Sequence, residues 1–190
     1  MTTLPDWLNA TLASDASAGA GVLPPWIRAL SPAATLAGPA LVVAVSRDDN
    51  TAMKQVAAAV TTPGTILVIA GGSESRTALF GDLIARELMA AGVVGVVTDG
   101  LIRDSREVAE LGLPVWARGV TPIAPTKDAP GYVGGSVTLA GVVVHDADIV
   151  VADADGVVVW PAAQVDDLVG RANARRQSDD ERLARFLGDR

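Results

Sequence analysis

The sequence has 190 residues, of which 49% are hydrophobic and 4% aromatic, and it carries a formal net charge of −7. A chain of this length fits one domain with a substantial core, and the acidic balance argues against non-specific nucleic-acid binding, which depends on Lys and Arg neutralising phosphates. Because the chain has no cysteine, it forms neither disulfides nor thiolate metal sites.

The amino-terminal segment and the overall hydropathy predict a soluble, cytoplasmic protein. Residues 1–17 lack both a basic start and a long apolar run, so they do not resemble a signal peptide. No apolar run approaches the roughly 20 residues that a membrane span needs. We expect a single domain over 1–190, with a core at about 36–161 and a helical C-terminal segment at about 162–190.

Hydrophobic periodicity predicts a mixed α/β fold. Apolar runs alternate with helical patterns as far as Ala117, which indicates parallel strands joined by right-handed crossovers. Helices are expected at 7–13, 51–60, 82–91, 104–111 and 162–190, and strands at 40–45, 65–70, 93–98 and 113–117, with Gly38-Pro39 as a break before the first strand. Four further short strands, at 136–140, 141–144, 149–152 and 157–160, predict an antiparallel meander.

Two adjacent side chains at a predicted strand-to-helix turn are candidates for chemistry. Arg103 offers a rigid fork of donors that matches a carboxylate, and Asp104 offers hard oxygen ligands suited to Mg²⁺ or Mn²⁺. Open α/β sheets bind ligands beyond the carboxyl ends of their strands, where this pair is expected. Asp104 and Glu107 also have the spacing of a helix cap, which needs no ligand. Capping and metal binding do not exclude each other.

A second helix start lies upstream, in the segment Gly81-Asp82-Leu83-Ile84. A glycine at this point lets the backbone approach an anion, and the free amides and the helix dipole favour negative charge. The alternative is that Gly81 is only a turn residue and Asp82 an N-cap. The side chains of Leu83 and Ile84 are expected to face the core, so that only their backbone amides would contact a ligand.

Other patterns favour structural roles. Gly71-Gly72-Ser73 lacks the spacing of a nucleotide-binding loop, and no nucleophile elbow accompanies the single histidine, His145. We interpret His145 as a surface residue. The segment Asp153–Gly156 is interpreted as a hairpin turn, because the remainder of a calcium-binding loop is missing. The four tryptophans are expected to be core or interface anchors.

Several short motifs follow one another in a specific order between Leu36 and Pro161. They are Ala37-Gly38-Pro39-Ala40, Asp49-Asn50, Gly81-Asp82-Leu83-Ile84-Ala85, Asp99-Gly100 with Arg103-Asp104, Leu111-Gly112-Leu113-Pro114-Val115, Ala117-Arg118-Gly119 and the run 152–158. In this order they resemble the family that comprises regulator of ribonuclease activity A and the 4-hydroxy-4-methyl-2-oxoglutarate aldolases. The run Ala40–Val43 and the Ala/Pro-rich amino terminus depart from that family's usual sequence.

The resemblance implies a swivelling-type β/β/α sandwich that assembles as a homotrimer or a dimer of trimers. In the aldolase branch, the aspartate corresponding to Asp104 binds the divalent metal and the arginine corresponding to Arg103 holds the pyruvyl carboxylate. The amides of Gly81–Ile84 help to bind the same substrate. The signature of that branch is intact as Asp82, Arg103, Asp104 and Glu107, whereas members that act only as ribonuclease regulators tend to lack a complete signature.

The resemblance also implies an acidic residue that reaches the site from the C-terminal segment of a neighbouring subunit. Asp179, Asp180 and Glu181 are the candidates, and the sequence does not choose among them.

The implied function is that of a pyruvate aldolase dependent on Mg²⁺ or Mn²⁺, with oxaloacetate decarboxylase activity. The substrate is a small 2-oxo acid, Arg103 orients its carboxylate, and Asp82 holds the water that transfers the proton. No Schiff-base lysine is needed, and neither Lys54 nor Lys127 has a convincing setting for one. The rival function is a non-enzymatic regulator that binds and inhibits an endoribonuclease. The intact signature favours the enzyme.

Overall fold

The structure, a computed structural model that describes residues 4–30 and 35–188, consists of helices packed around one large sheet and two small ones. The helices are α1 (Ala10–Ala16), α2 (Met53–Ala59), α3 (Asp82–Ala90), α4 (Ser105–Glu110) and, after a short 3-10 turn (Ala162–Gln164), α5 (Val165–Gly188). The strands are β1 (Arg28–Ala29), β2 (Leu36–Ala44), β3 (Thr65–Ala70), β4 (Val93–Thr98), β5 (Leu101–Ile102), β6 (Val115–Ala117), β7 (Gly119–Val120), β8 (Tyr132–Val133), β9 (Ser136–Leu139), β10 (Val142–His145), β11 (Ile149–Ala152) and β12 (Val157–Trp160).

The centre of the large sheet is parallel, as the alternation of strands and helices predicts. Strand β2 pairs with β3, β3 with β4, and β4 with β6, all in parallel. Antiparallel pairs extend both sides, with β1 beside β6, β11 and β8 beside β2, and β12 beside β11. Because the central strands point the same way, the loops that follow them meet at one edge of the sheet.

Different layers cover the two faces of the sheet. In β3, Leu67 and Ile69 pack in the cluster formed with α2, α3 and α4, whereas Ile66 and Val68 pack in the cluster formed with the β9–β10 hairpin. Every residue of β3 is buried, as expected of a parallel strand covered on both faces. This layering confirms the β/β/α sandwich that the resemblance implies.

Two of the four tryptophans are core residues, as predicted. Trp160 lies in the cluster that α1 and α5 form over the β11–β12 hairpin, and its indole nitrogen donates to the carbonyl of Ala13 at 3.2 Å. Trp116 is equally buried and donates to the carbonyl of Asp153 at 2.7 Å. Buried indole groups require such partners. Trp26, by contrast, exposes 41% of its surface.

The prediction that Gly38-Pro39 breaks the chain before the first strand is wrong, because both residues lie inside β2. Pairing of β2 with β3 begins only at Ala40, so the missing N–H of Pro39 costs no hydrogen bond in that ladder. Gly38 passes so close to the turn before β3 that a Cβ there would lie 2.4 Å from the carbonyl oxygen of Gly64. Both residues therefore suit an atypical position within a strand.

The predicted antiparallel meander is also wrong, although its four strands are present. β9 pairs with β10 and β11 pairs with β12, but β11 joins β2 of the large sheet instead of β10. β11 pairs with residues 36–39 on the edge of β2 opposite to β3, and β8 pairs with Val43 and Ala44 further along the same edge. The carboxylate of Asp146 fills the gap between β8 and β11 by accepting from the amides of Val42 and Gly135.

The first and last helices differ from their predicted bounds. α1 begins at Ala10, three residues after the predicted start, because the side chain of Asn9 accepts from the amide of Leu12 and caps the helix. The helix predicted to run to Arg190 is described as far as Gly188, so its last two residues lie outside the described part of the chain. In residues 4–30 and 35–188, no helix combines the length and the apolar character needed to cross a membrane.

Candidate active site

A small parallel array brings the two predicted helix starts together. The segment Ala78–Phe80 runs beside β5, with the amide of Leu79 donating to the carbonyl of Leu101 at 2.8 Å and the amide of Arg103 donating to the carbonyl of Phe80 at 3.0 Å. On its other side β5 pairs with β7. The segments that lead into α3 and α4 therefore leave this array at the same point, although twenty residues separate them in the sequence.

Gly81, Arg103 and Asp104 meet directly at this point. Nε of Arg103 lies 3.3 Å from Oδ2 of Asp104, and the amide of Asp82 donates to the same oxygen at 3.4 Å. A Cβ on Gly81 would lie 2.1 Å from that oxygen and 2.9 Å from Cγ of Arg103. Only glycine allows the carboxylate to approach the start of α3 this closely. The structure thus places the predicted substrate-binding and metal-binding residues in one site.

Asp104 stands at the N-cap position of α4, but its side chain does not cap that helix. Its backbone is left-handed, with φ 51° and ψ 39°, and its carboxylate makes no capping hydrogen bond. An N-cap side chain normally reaches the helix amides from an extended backbone, so the predicted capping role is wrong. A left-handed non-glycine residue costs about 1–3 kcal/mol, and such residues cluster at functional sites. This backbone turns the carboxylate towards Gly81 and Arg103.

The start of α3 combines unpaired amides with an acidic side chain. Gly81 is the N-cap and supplies no side-chain cap, while Asp82 is the first helical residue rather than the predicted N-cap. The carboxylate of Asp82 lies 3.8 Å from Nε of Arg86, one turn along the helix. The amides of Leu83 and Ile84 belong to the first turn, whose donors have no partner within the helix. They are positioned to bind an anion.

The side chain of Leu83 is not in the core, contrary to prediction. It exposes 67% of its surface, whereas Ile84 packs against the cluster on the helical face of the sheet. The first turn of α3 follows the surface of the molecule, so Leu83 forms the rim of the site and only Ile84 points inwards.

A cleft of about 270 Å³ opens beside these residues. Its lining comprises Asn50, Ala78, Phe80, Gly81, Leu83, Ile84, Arg103, Ala124, Pro125 and Lys127. Both charged lining residues, Arg103 and Lys127, are cations, as an anionic ligand requires. A larger cavity of about 540 Å³ lies near the start of β3 and carries Asp146 as its only charged lining residue among those described. The smaller cleft therefore fits an organic acid better.

Sequence reasoning gave no role in the site to the segment Asp48–Asn50, whose last residue lines the cleft. Asn50 lines the cleft and donates from its side-chain amide to the carbonyl of Leu79 at 2.8 Å. Asp48 accepts from the amides of Arg76 and Thr77. The hydrogen bond from Arg76 is the main reason that the pKa of Asp48 lies below its ordinary value. The sequence feature that could have identified these residues is their position in the loop after β2, at the edge where the parallel strands end.

The carboxylate of Asp49 is buried, with 2% of the residue exposed. Burial by itself would raise the pKa of this carboxyl, but hydrogen bonds from the amides of Ala129, Thr51 and Asp128 outweigh it and hold the pKa well below its ordinary value. The ionised form of Asp49 is therefore stabilised by the loop that it contacts.

Asp99 and Arg118 hold the loop that follows β3. Asp99 accepts from the amides of Gly72 at 2.8 Å and Gly71 at 3.3 Å. Burial nevertheless raises the pKa of Asp99 above its ordinary value. The guanidinium of Arg118 donates to the carbonyls of Ser75 and Gly72. These contacts fix the path of the chain towards Gly81.

The donor set suits a hard cation that retains most of its own water. Among the described residues, no group of three or more His, Cys, Asp and Glu side chains is placed to hold a metal ion, so a cage made of protein side chains alone is not present there. Mg²⁺ is usually held by one or two carboxylates together with water and substrate oxygens. Asp104 can supply one such carboxylate, and because 37% of its side chain is exposed, water can reach a cation bound there.

The acidic residues predicted to act across a subunit interface lie on the exposed part of α5. Asp179 pairs with Arg175 at 3.1 Å, and Asp180 lies 3.8 Å from Arg176. Glu181 makes no ion pair with any residue in the described ranges. Its role at a neighbouring site stays a prediction, as do those of the other two.

The patterns interpreted as structural prove to be so. His145 lies at the end of β10 and exposes 63% of its side chain. Asp153 starts the turn between β11 and β12, where its amide donates to the carbonyl of Gly156 and its carboxylate accepts from the amide of Asp155.

Replacing Gly81 with alanine tests the geometry of this site. The added Cβ would displace the carboxylate of Asp104 and the stem of Arg103 by about 1 Å, which is expected to lower turnover on the order of 10²-fold. The matched control is Gly170→Ala in α5, where a Cβ meets nothing within 4 Å and alanine favours the helix. Steady-state kinetics and thermal melting should show lost activity only in the Gly81 variant. Equal activity in both variants would contradict the close approach.

Comparisons with known proteins show the family to which the chain belongs. The family model described as RraA-like, Aldolase/RraA, matches residues 10–159. A putative 4-hydroxy-4-methyl-2-oxoglutarate aldolase of Halalkalibacterium halodurans is 34% identical over 182 residues, which are 96% of this chain and 86% of that protein. Streptomyces coelicolor RraAS2, described as an unusual member of the RNase ES inhibitor RraA family, superposes with a TM-score of 0.81 at 28% identity, over 94% of this chain and 93% of its own. The RNA-processing inhibitor RraA from Thermus thermophilis superposes with a TM-score of 0.71 at 29% identity, over 81% and 93% respectively. The chain belongs to the RraA-like family, which includes proteins named as aldolases and proteins named as ribonuclease inhibitors.

Proposed function

We propose that this protein is a divalent-metal-dependent pyruvate aldolase that cleaves acids similar to 4-hydroxy-4-methyl-2-oxoglutarate and also decarboxylates oxaloacetate. The observation that carries the proposal is the meeting of Arg103, Asp104 and the start of α3 beside one cleft. A guanidinium and free helix amides recognise a carboxylate, and a nearby unshared carboxylate oxygen provides a ligand for a hard cation.

Arg103 and the amides of Leu83 and Ile84 would bind the carboxylate of the pyruvyl group. The ion pair with Asp104 uses Nε of Arg103, which leaves the terminal nitrogens of the guanidinium for the substrate. Because Asp104 also fixes the guanidinium, Arg103 loses little freedom when the substrate binds. The substrate is then held with its keto group next to Asp104.

Asp104 would hold the cation, and Asp82 would hold the water that delivers a proton. When bound, Mg²⁺ or Mn²⁺ supplies Lewis-acid stabilisation of the negative charge that develops on the keto oxygen. In the aldol cleavage, the bond between C3 and C4 breaks, the hydroxyl proton of C4 leaves and a new carbonyl forms there. The electron pair passes to C3, which takes up one proton to give pyruvate. Decarboxylation of oxaloacetate places the electron pair on the same carbon.

The direct test follows pyruvate release from oxaloacetate by the purified protein. Activity is expected with Mg²⁺ or Mn²⁺ and is expected to disappear when EDTA removes the cation, then to return when excess Mg²⁺ is added. Uncatalysed decarboxylation in the same metal solution serves as the baseline. Activity that withstands EDTA would rule out the metal-dependent mechanism.

The second candidate is a regulator that binds and inhibits an endoribonuclease. It is favoured by the likeness to RraAS2 over almost the entire chain. A ligand that binds only the folded state raises its melting temperature, so pyruvate with Mg²⁺ should stabilise an enzyme. No shift with pyruvate, combined with inhibition of a purified endoribonuclease, would favour the regulator. In either case we propose a cytoplasmic homotrimer or hexamer, as the family resemblance implies.

A further inference from the structure

Lys127 is the second cation of the cleft and lies on a different wall from Arg103. Arg103 follows β5, whereas Lys127 belongs to the loop 124–129, which also contributes Ala124 and Pro125 to the lining. Within the described ranges, Lys127 makes no ion pair. A substrate that places one carboxylate on Arg103 therefore finds a second positive charge in the same cleft, on the wall formed by the loop 124–129.

The loop that carries Lys127 is held by the segment Asp48–Asn50. Backbone hydrogen bonds join Thr126 to Asp48 and to Asn50, and the carboxylate of Asp49 adds three further contacts. Oδ2 of Asp49 accepts from the amide of Asp128 at 2.7 Å, from the hydroxyl of Thr126 at 2.9 Å and from the amide of Ala129 at 3.0 Å. One carboxylate oxygen thus binds the residues on both sides of Lys127. Oδ1 accepts from the amide of Thr51 at 2.7 Å, which anchors the carboxylate on its own segment.

The Arg103 wall is held by other contacts. Its position depends on the hydrogen bonds between β5 and the segment Ala78–Phe80 and on the β5–β7 pair. None of these hydrogen bonds involves Asp49. A change at Asp49 should therefore move one wall of the cleft and leave the other in place.

We propose that Asp49 is a positioning residue that sets Lys127 to receive the second carboxylate of a dicarboxylic 2-oxo acid. The inference rests on the proposed function, since it takes Arg103 as the site of the first carboxylate. It assigns the preference for dicarboxylic over monocarboxylic acids to Lys127 and to the carboxylate that holds its loop. The contribution of Asp49 is indirect, because its carboxylate is buried and does not line the cleft.

The test compares the binding of 2-oxoglutarate, a dicarboxylate without a 4-hydroxyl group to cleave, with that of pyruvate, both with Mg²⁺ and measured by calorimetry. In Asp49→Asn, the dissociation constant for 2-oxoglutarate is expected to rise roughly tenfold, the effect of losing about one charge-assisted contact. The constant for pyruvate should stay within about twofold, because Arg103 is undisturbed. Lys127→Met should give the same pattern. The double variant should be no worse than either single variant, because both changes remove one interaction.

The matched control is Asp148→Asn. Asp148 is also buried and accepts from two backbone amides, those of His145 and Ala162, but it lies away from the cleft. The Asp148→Asn substitution should lower the melting temperature without changing the dissociation constant for 2-oxoglutarate or for pyruvate. Faster hydrogen exchange at the amides of Asp128 and Ala129 should show that Asp49→Asn has released the loop.

The outcomes separate the inference from the proposed function. If the wild-type protein binds neither acid, the proposed function fails and the inference fails with it. If the wild-type protein prefers 2-oxoglutarate and this preference survives in Asp49→Asn and Lys127→Met, only the inference is wrong. Additive effects of the two substitutions would also overturn it, because they would show that Asp49 does not act through Lys127.

Discussion

Asp104→Asn is expected to lower metal-dependent turnover by about 10³-fold or more. A catalytic cation contributes several kcal/mol to stabilising the developing charge, and about 1.4 kcal/mol corresponds to a factor of ten in rate. Asparagine keeps the volume of the side chain and tolerates the left-handed backbone at this position. It removes the negative charge that, under the proposed function, holds the cation. The loss should therefore appear in the rate and in Mg²⁺ affinity, with little change in the melting temperature.

The matched control is Glu110→Gln, at the other end of α4. Glu110 is an exposed carboxylate that pairs with Arg106 one turn earlier, at 2.9 Å, and such pairs contribute only about 0.3–0.5 kcal/mol. Initial rates at a series of Mg²⁺ concentrations should separate the two variants. An Asp104→Asn protein with the wild-type rate and Mg²⁺ dependence would show that the cation is held elsewhere.

Arg103→Met is expected to lower kcat/KM for oxaloacetate by about 10²-fold or more, because the carboxylate of the substrate is no longer held in the reactive orientation. Methionine retains much of the apolar stem and cannot bind a carboxylate. Arg103 also lies against the carboxylate of Asp104, so part of the loss should appear as weaker Mg²⁺ dependence. Arg103→Lys keeps the charge but loses the planar fork, and an intermediate value is expected.

Arg106→Met provides the comparison for this substitution. Arg106 is exposed and contacts Glu110 rather than the cleft, so its variant should keep the wild-type kinetics. Steady-state kinetics with oxaloacetate and inhibition by pyruvate check both proteins. If Arg103→Met binds pyruvate as tightly as the wild-type protein, the carboxylate of the substrate is not held by Arg103.

Elements with strong local patterns were predictable from the sequence. β3 and β4 have the predicted bounds, and α3 ends one residue before its predicted end, with Gly92 beyond it in a left-handed conformation. Continuous apolar runs between turn residues are sufficient for such elements, because the local pattern and the buried environment agree. The partner of a strand is not a local property. β11 pairs with β2, more than a hundred residues earlier in the chain, on the edge opposite to β3, and no pattern near β11 records that partner.

The sequence by itself identified the groups at the centre of the candidate site. The motif from Gly81 to Ile84, the Arg103-Asp104 pair and their family resemblance could all be identified without coordinates. These are properties of residue type and spacing.

Only the tertiary structure decided how these groups are arranged. The capping pattern at Asp104 was misleading because a left-handed backbone turns the carboxylate away from α4 and towards Gly81. Lys127 joins the site through hydrogen bonds to Asp49, which is 78 residues earlier in the chain. Such contacts depend on the path of the chain across the sheet edge, and sequence spacing carries no information about that path. The physical reason is that long-range packing and buried hydrogen bonds fix side-chain directions, whereas local sequence fixes only the tendency to form each element.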